Sequence, residues 1–203
     1  ICAMSVCYSG DLDHVDEVLA PIRGLGDPVV DLLAEQPYTQ VQSYLDETEP
    51  KGNHYYWKTG YATELSDELM STTRDLFAEC PIADGEIGFL HLGGQLNEHD
   101  PDDGAVGNRD ARFAFGVNGM WEPDERGAKT FRQWIQGASE RLRPFVTGAS
   151  YINFQTADED EESIRTAYGD NFERLVEVKE KFDPGNMFRS NRNIRPAARA
   201  GRM

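Results

Sequence analysis

Runs of apolar residues along the chain either alternate with polar ones or recur at helical spacing, and their order outlines the elements. The opening ICAMSVCY is apolar and β-prone and ends at Ser9-Gly10. Leu12, Val15, Val18, Leu19 and Ile22 then fall on one helical face, with Gly24 and Gly26 to close it, so a strand followed by a helix is predicted. A short helix is expected around Tyr38 to Leu45, and EPKGN marks a turn. HYYWKTGYA predicts a strand, and Ser66-Asp67 opens a helix bearing Leu65, Leu69, Thr72, Leu76 and Phe77. GEIGFLHLGGQL is a further strand ending at Gly93-Gly94. After the polar loop NEHDPDDGAVGNRD comes the strand ARFAFGVNGMW. The longest helix starts after Pro123 and stops before Pro144. YINF predicts a short strand running into an acidic loop. Phe172, Leu175, Val176, Lys179 and Phe182 then mark a final helix, which Asp183-Pro184-Gly185-Asn186 stops.

Strands interleaved with helices suit either a doubly wound parallel sheet or an α+β layer. The parallel sheet needs near-continuous aliphatic strands, whereas these are rich in glycine and aromatics. The predicted fold class is therefore α+β, a central, largely antiparallel sheet with helices packed on one face. Residues 1–150 form its body, and residues 151–203 are a C-terminal segment of the same structural domain. Alternation along ARFAFGVNGMW puts Arg112, Ala114, Gly116, Asn118 and Met120 on one face and Phe113, Phe115, Val117 and Trp121 on the other.

Charge narrows the partners. Acidic residues number 36 against 20 basic ones, a formal net charge of −16, which repels nucleic acid and anionic membranes. No apolar run is long enough to span a bilayer and no secretory signal is visible, so a soluble, cytoplasmic protein is expected. The chain opens at Ile1 without methionine, as a piece of a longer polypeptide would. Only five of the basic residues are lysine, and acid excess with scarce lysine points to a protein working in high salt, a halophilic character. Cys2, Cys7 and Cys80 have neither zinc nor CxxC spacing; Cys2 and Cys7 are expected to be small buried residues. The runs DEDEE (158–162) and HDPDDG (99–104) lack the pattern of a calcium loop and are expected to be solvated loops, and the histidines show no metal spacing.

The C-terminal motifs carry the chemical information. Tyr151-x-Asn153-Phe154 is followed by Tyr168-Gly169-x-Asn171-x-x-Arg174-Leu175, then by Lys179-x-x-x-Asp183-Pro184-x-Asn186-x-Phe188, and then by Asn193-Ile194-x-Pro196. This series resembles the C-terminal part of the berberine-bridge-enzyme-like FAD-linked oxidases, in the vanillyl-alcohol-oxidase superfamily. The resemblance extends weakly back to VCYSGD at residues 6–11. It implies a substrate-binding domain whose sheet lies over the isoalloxazine ring of FAD, while an N-terminal FAD-binding domain, for which this sequence has no counterpart, holds most of the cofactor. The implied partners are a small-molecule substrate and an FAD-binding domain in cis or in trans, with self-association as a further possibility.

Residue by residue, the resemblance puts Tyr151 and Asn153 against the flavin. The fourth position of the motif, commonly a tyrosine acting as base, is Phe154, and a phenyl ring accepts no proton. The strand that often carries a catalytic glutamate or glutamine offers Asn118 as its hydrogen-bonding group, and the usual His-Arg pair appears as Asn108-Arg109. The implied catalytic residues are thus Tyr151 and Asn118, the cofactor-binding residues Tyr151 and Asn153, with no metal. The implied activity is hydride transfer from an alcohol, sugar or alkaloid-type carbon to flavin. The competing expectation is a non-catalytic interaction domain left after loss of the flavin half.

The charge balance generates the first prediction. Carboxylate repulsion acts over about 10 Å at about 0.1 M salt and is almost fully screened at molar salt. Thermal melts in about 0.1 M and about 2 M potassium chloride should differ by about 3 °C or more, as roughly 1 kcal/mol shifts a chain of this size. Equal midpoints would remove the high-salt assignment.

Overall fold

A computed structural model of the chain describes residues 1–123, 126–189 and 192–197. The chain divides into two compact units, Ile1–Pro50 and Lys51–Met203.

The first unit is helical. A single 3-10 turn, Leu12–His14, is capped by the Asp11 carboxylate, which accepts from the Asp13 amide at 3.0 Å, and leads into α1, Val15–Arg23. Helix α2, Tyr38–Gln42, is shorter than expected. The opening eight residues are irregular where a strand was expected, and Cys2 and Cys7 are exposed rather than buried. A β-prone segment becomes a strand only against a free edge. Among the described residues no strand pairs with this one, so nothing covers its alternate side chains.

The second unit is built on an antiparallel sheet of three strands. In chain order come β1 (His54–Ala62), α3 (Asp67–Ala78), β2 (Asp84–His91), α4 (Gln95–Glu98), β3 (Phe113–Trp121), α5 (Ala128–Leu142), α6 (Glu161–Tyr168) and α7 (Asn171–Phe182). The spatial order is β1-β3-β2, so the last strand lies in the middle and pairs antiparallel with both neighbours. Lys58 faces Val117 and Val117 faces Ile87. Trp57 faces Asn118 and Asn118 faces Glu86.

The period of two then divides the sheet into two faces with different fates. Phe115, Val117 and Trp121 of β3 pack with Tyr56 and Ala62 of β1 beneath Leu69 and Leu76 of α3 and Ile135, Ala138 and Leu142 of α5. This is the main core. Ser66 begins α3 by accepting from the Leu69 amide at 3.2 Å. Gly119 lets α5 approach closely: a Cβ there would lie 2.6 Å from Ile82 Cδ1 and 3.0 Å from Ile135 Cδ1. The α+β expectation, with helices on one face of an antiparallel sheet, therefore holds.

Two C-terminal expectations need correction. YINF is no strand: Ile152–Phe154 forms one 3-10 turn, with the Phe154 amide donating to the Tyr151 carbonyl at 2.8 Å. Its peptides are satisfied locally instead of in a ladder. DEDEE is no loose loop either. Asp160 caps α6 by accepting from the Ser163 amide at 2.8 Å, and Glu161 and Glu162 fill the first helical turn, where the helix dipole favours negative charge. The Asp183-Pro184-Gly185-Asn186 stop is where it was expected. The Asp183 carboxylate accepts from the amides of Met187 at 2.8 Å and Phe188 at 3.0 Å and pairs with Lys179.

Because Ile135 is fully buried at the contact of α5 with the sheet, Ile135→Ala should destabilise the protein by about 2–5 kcal/mol. The exposed Gln133→Ala on the same helix should stay within about 0.5 kcal/mol. Urea denaturation of the two variants measures the contrast.

Candidate functional site

Among the described residues no helix packs on the opposite sheet face. Across it the register aligns four rows: Tyr55, Met120 and Asp84; Trp57, Asn118 and Glu86; Thr59, Gly116 and Gly88; Tyr61, Ala114 and Leu90. The third row has glycine at two neighbouring positions, so it forms a flat strip. A Cβ on Gly116 would lie 2.8 Å from Asn118 Oδ1, so the Asn118 amide leans over that strip. At one end Tyr61 and Ala114 are buried with Ala111 and Ala149, and Tyr151 packs against them. On β2, at the far side of that same row, the face is open, with Leu90 60% exposed.

The 147–159 segment reaches this face along the outer edge of β1. The Tyr61 amide donates to the Ala149 carbonyl at 3.0 Å and the Thr147 amide to the Tyr61 carbonyl at 2.9 Å, which caps part of an otherwise free strand edge. Further along, successive β1 side chains grip the segment from both sides. On the open face the Trp57 indole N–H donates to the Phe154 carbonyl at 2.5 Å. On the helix face Lys58 Nζ donates to Thr156 Oγ1 at 3.2 Å, Asp158 at 3.1 Å and Glu159 at 2.7 Å. Tyr56 adds a hydrogen bond to Asp158 at 2.6 Å and accepts one from Gln136 of α5 at 3.0 Å. From the C-terminal stretch, Arg192 donates to the carbonyls of Gln155 and Thr156.

Within the turn, the Asn153 amide donates to the Tyr151 hydroxyl at 2.7 Å, and the Phe154 ring meets the Tyr151 ring edge-on at 5.2 Å between centroids. The sequence-predicted pair Tyr151 and Asn153 is thus joined directly. Asn118 shares their sheet face and sits across from Trp57, which holds the turn, but among the described residues no hydrogen bond joins it to either. Phe115 and Trp121 lie in the helix-side core, so the apolar groups on the open side are instead Tyr55, Trp57, Met120 and Leu90. Asn108 and Arg109 serve the scaffold. Asn108, at φ +57°, donates to the carbonyls of Thr166 and Ala167 at the end of α6, and Arg109 donates to those of Leu96 and Asp103. Arg174 donates to the Asp102 carbonyl and Asn171 to that of Pro101. Trp57, Lys58 and the Gly88–Gly116 strip were missed as site residues. The signal for the first two was the alternation within HYYWKTGYA.

Burial and hydrogen bonding set the acid–base state. Partial burial pushes the Asp158 carboxyl up, but hydrogen bonds from Thr156, Tyr56 and Lys58 outweigh it and hold the group well below the usual carboxylate range. Burial pulls the Lys58 ammonium down, and its bonds to Glu159 and Asp158 overcome this, leaving it raised. Tyr56 is raised by burial and by its bond to Asp158, and Tyr61 by burial and by Tyr151 beside it. Among the described residues no group of three or more His, Cys, Asp or Glu side chains could hold a metal, and no helix is long and apolar enough to cross a membrane. A concavity of about 930 Å³ opens elsewhere, between the start of α3 and the end of α5. The candidate site is an uncovered face, not a cavity.

Residues 150–195 match the family described as berberine and berberine like. An FAD-linked oxidoreductase of Dictyostelium discoideum is 26% identical over 93% of this chain and 41% of its own length. A tetrahydroberberine oxidase of Berberis wilsoniae is 26% identical over 72% of this chain and 31% of its own. A solved structure of a berberine bridge enzyme variant matches in fold, with TM-score 0.77 at 20% identity, over 93% of this chain and 44% of that one. The chain spans about two-fifths of the length of the first of these relatives.

The Lys58 cluster makes stability depend on pH. Asp158 is depressed in the folded state, so its contribution is present above the ordinary carboxylate pKa of about 4 and is lost as pH falls below it. Lys58 is raised, so its contribution is complete below about pH 10 and is lost above. Asp158 is 44% exposed, and solvent screening limits its share to about 1 kcal/mol near neutrality. Asp158→Asn should cost that much at about pH 7, and the gap to the parent protein should close in acid. Denaturant melts across pH measure it, and a gap that is constant with pH would contradict the assignment.

Proposed function

We propose that this chain, which is related to the berberine-bridge-enzyme-like FAD-linked oxidoreductases and represents a C-terminal part of them, is the substrate-side part of an FAD-dependent oxidoreductase. Its uncovered sheet face is the surface that meets flavin and substrate. One observation carries this: two adjacent glycines, Gly88 and Gly116, make a flat strip on the face no helix covers, and Tyr151, Asn153 and Asn118 stand on that same side. A planar ring system lies flat only where no Cβ projects.

The residues present fit such a ring. Gly116 and Gly88 allow contact with the backbone, and the Asn118 amide offers a donor and an acceptor beside it. Tyr151 accepts from Asn153, which leaves its own hydroxyl proton free to donate to substrate or ring. Bound flavin would supply the hydride acceptor, and the protein would supply orientation and electrostatics. The substrate class is an alcohol, sugar or alkaloid-type molecule with an oxidisable C–H bond. A base other than residue 154 must take any substrate proton, since Phe154 cannot.

The partner is a flavin-binding domain, in the same polypeptide or a separate one. Leu90 at 60%, Phe182 at 74%, Met187 at 81% and Phe188 at 76% exposure are apolar groups such a domain would cover. The replacement of the family's usual base by Phe154 favours a second reading, a binding domain that retains the surface without turnover.

Purified with the product of its complete reading frame, the chain should show flavin absorbance near about 450 nm. Gly116→Val should weaken flavin retention by about tenfold or more through overpacking, and Tyr151→Phe should slow flavin reduction by about 10- to 100-fold while leaving flavin bound. A flavin-free product, or a Gly116→Val variant that retains flavin unchanged, would sink the proposal. Flavin retained without reduction by any alcohol, sugar or alkaloid would select the second reading.

A further inference from the structure

Lys58 and Trp57 are neighbours in sequence, so the β pleat sends their side chains to opposite faces of the sheet. Both nonetheless bind the same short stretch, residues 154–159, which runs past the edge of β1. The stretch is therefore held on two sides of one strand. Sliding it along the strand would break the indole bond to Phe154 and the ammonium bonds together.

We propose that Trp57 and Lys58 are positioning residues that set the Tyr151–Asn153 pair over the open face. This deepens the reading of those two residues as the flavin-side pair and rests on it. The contacts form a continuous path. The Trp57 indole fixes the Phe154 carbonyl, the Phe154 ring stands edge-on to Tyr151, and the Tyr151 hydroxyl receives the Asn153 amide. On the far side Lys58 fixes three polar groups downstream, those of Thr156, Asp158 and Glu159. Its side chain is only 15% exposed. Thr156 accepts from Lys58 and donates to Asp158 at 2.6 Å, while Tyr56 and Gln136 tie Asp158 to β1 and α5. The acidic stretch thereby belongs to the rigid body of the sheet, and the pair upstream of it has one position.

Lys179 supplies the control. It is equally buried, at 14% exposure, and ion-paired to Asp183 in the same compact unit, but it serves the turn after α7. In the intact chain with labelled asparagine side chains, the Asn153 amide resonance can be identified by its loss in Asn153→Ala. Lys58→Met and Trp57→Phe should each move that resonance most of the way toward a free amide. Lys179→Met should lower the melting temperature by a similar amount and leave it in place. If Lys58→Met does not fold, the double variant Asp158→Ala, Glu159→Ala removes the two carboxylate acceptors from the other end. An Asn153 resonance unmoved in the folded Lys58 or double variant, or moved equally by Lys179→Met, overturns the proposal. No flavin enters this measurement, so its outcome is separate from the flavin titration: the pair may be positioned as stated on a face that binds no flavin, and that result would count against the functional proposal alone.

Discussion

The second compact unit depends on how β1 uses both its faces at a free edge. An edge strand offers unpaired peptides and, through its alternation, side chains above and below. β1 gives the peptide groups of Tyr61 to residues 147 and 149, then Trp57 on one side and Tyr56 and Lys58 on the other to residues 154–159. A strand alone would leave this edge open, and a loop alone would have no fixed path. Together they bring the C-terminal motifs to the sheet, although two strands and three helices separate β1 from that segment in sequence.

The two sheet faces obey different constraints. On the helix side, Val117, Ile135 and Leu142 are fully buried and Gly119 is required for the approach of α5, as interior packing demands. On the other side the nearest atoms a Cβ would meet among the described residues are those of the Asn118 amide at Gly116 and of the Glu86 carboxylate at Gly88. Glycine in a strand costs stability and contributes no packing, and its presence in two adjacent positions leaves the backbone there open to close approach.

Much of this was legible in the sequence. The elements that the sequence marks with both periodicity and punctuation appear within a few residues of expectation: HYYWKTGYA, ARFAFGVNGMW, the helix before Pro144 and the stop at Asp183. The division of β3 into a face with Phe115, Val117 and Trp121 and one with Gly116 and Asn118 follows directly from alternation. What failed were short apolar pieces whose state is decided by neighbours. ICAMSVCY has strand composition but no partner edge among the described residues. YINF meets an edge already occupied at Tyr61 and so closes on itself. Helix α6 was hidden because its first turn is acidic and polar, so the run resembled a solvated loop until Asp160 was seen to cap it. Lys58 could not be singled out, since an ion pair 100 residues apart leaves no local trace.

The scarcity of lysine gives the two buried ones their meaning. Most positive charge in this chain is arginine, yet the cations paired with Asp158, Glu159 and Asp183 are Lys58 and Lys179. Each must satisfy acceptors in different directions: a hydroxyl and two carboxylates for Lys58, a carboxylate and the Phe188 carbonyl for Lys179. A small ammonium with three freely rotating donors meets such a set, whereas the planar guanidinium fork suits acceptors lying in one plane. An excess of acid is a property of the chain as a whole. The choice of lysine at these two points is local, set by the geometry of the turns that carry the family-like motifs. The same carboxylates that raise the net charge therefore divide into two populations. Those on the surface repel one another, and those at Asp158, Glu159 and Asp183 hold the C-terminal segment in place.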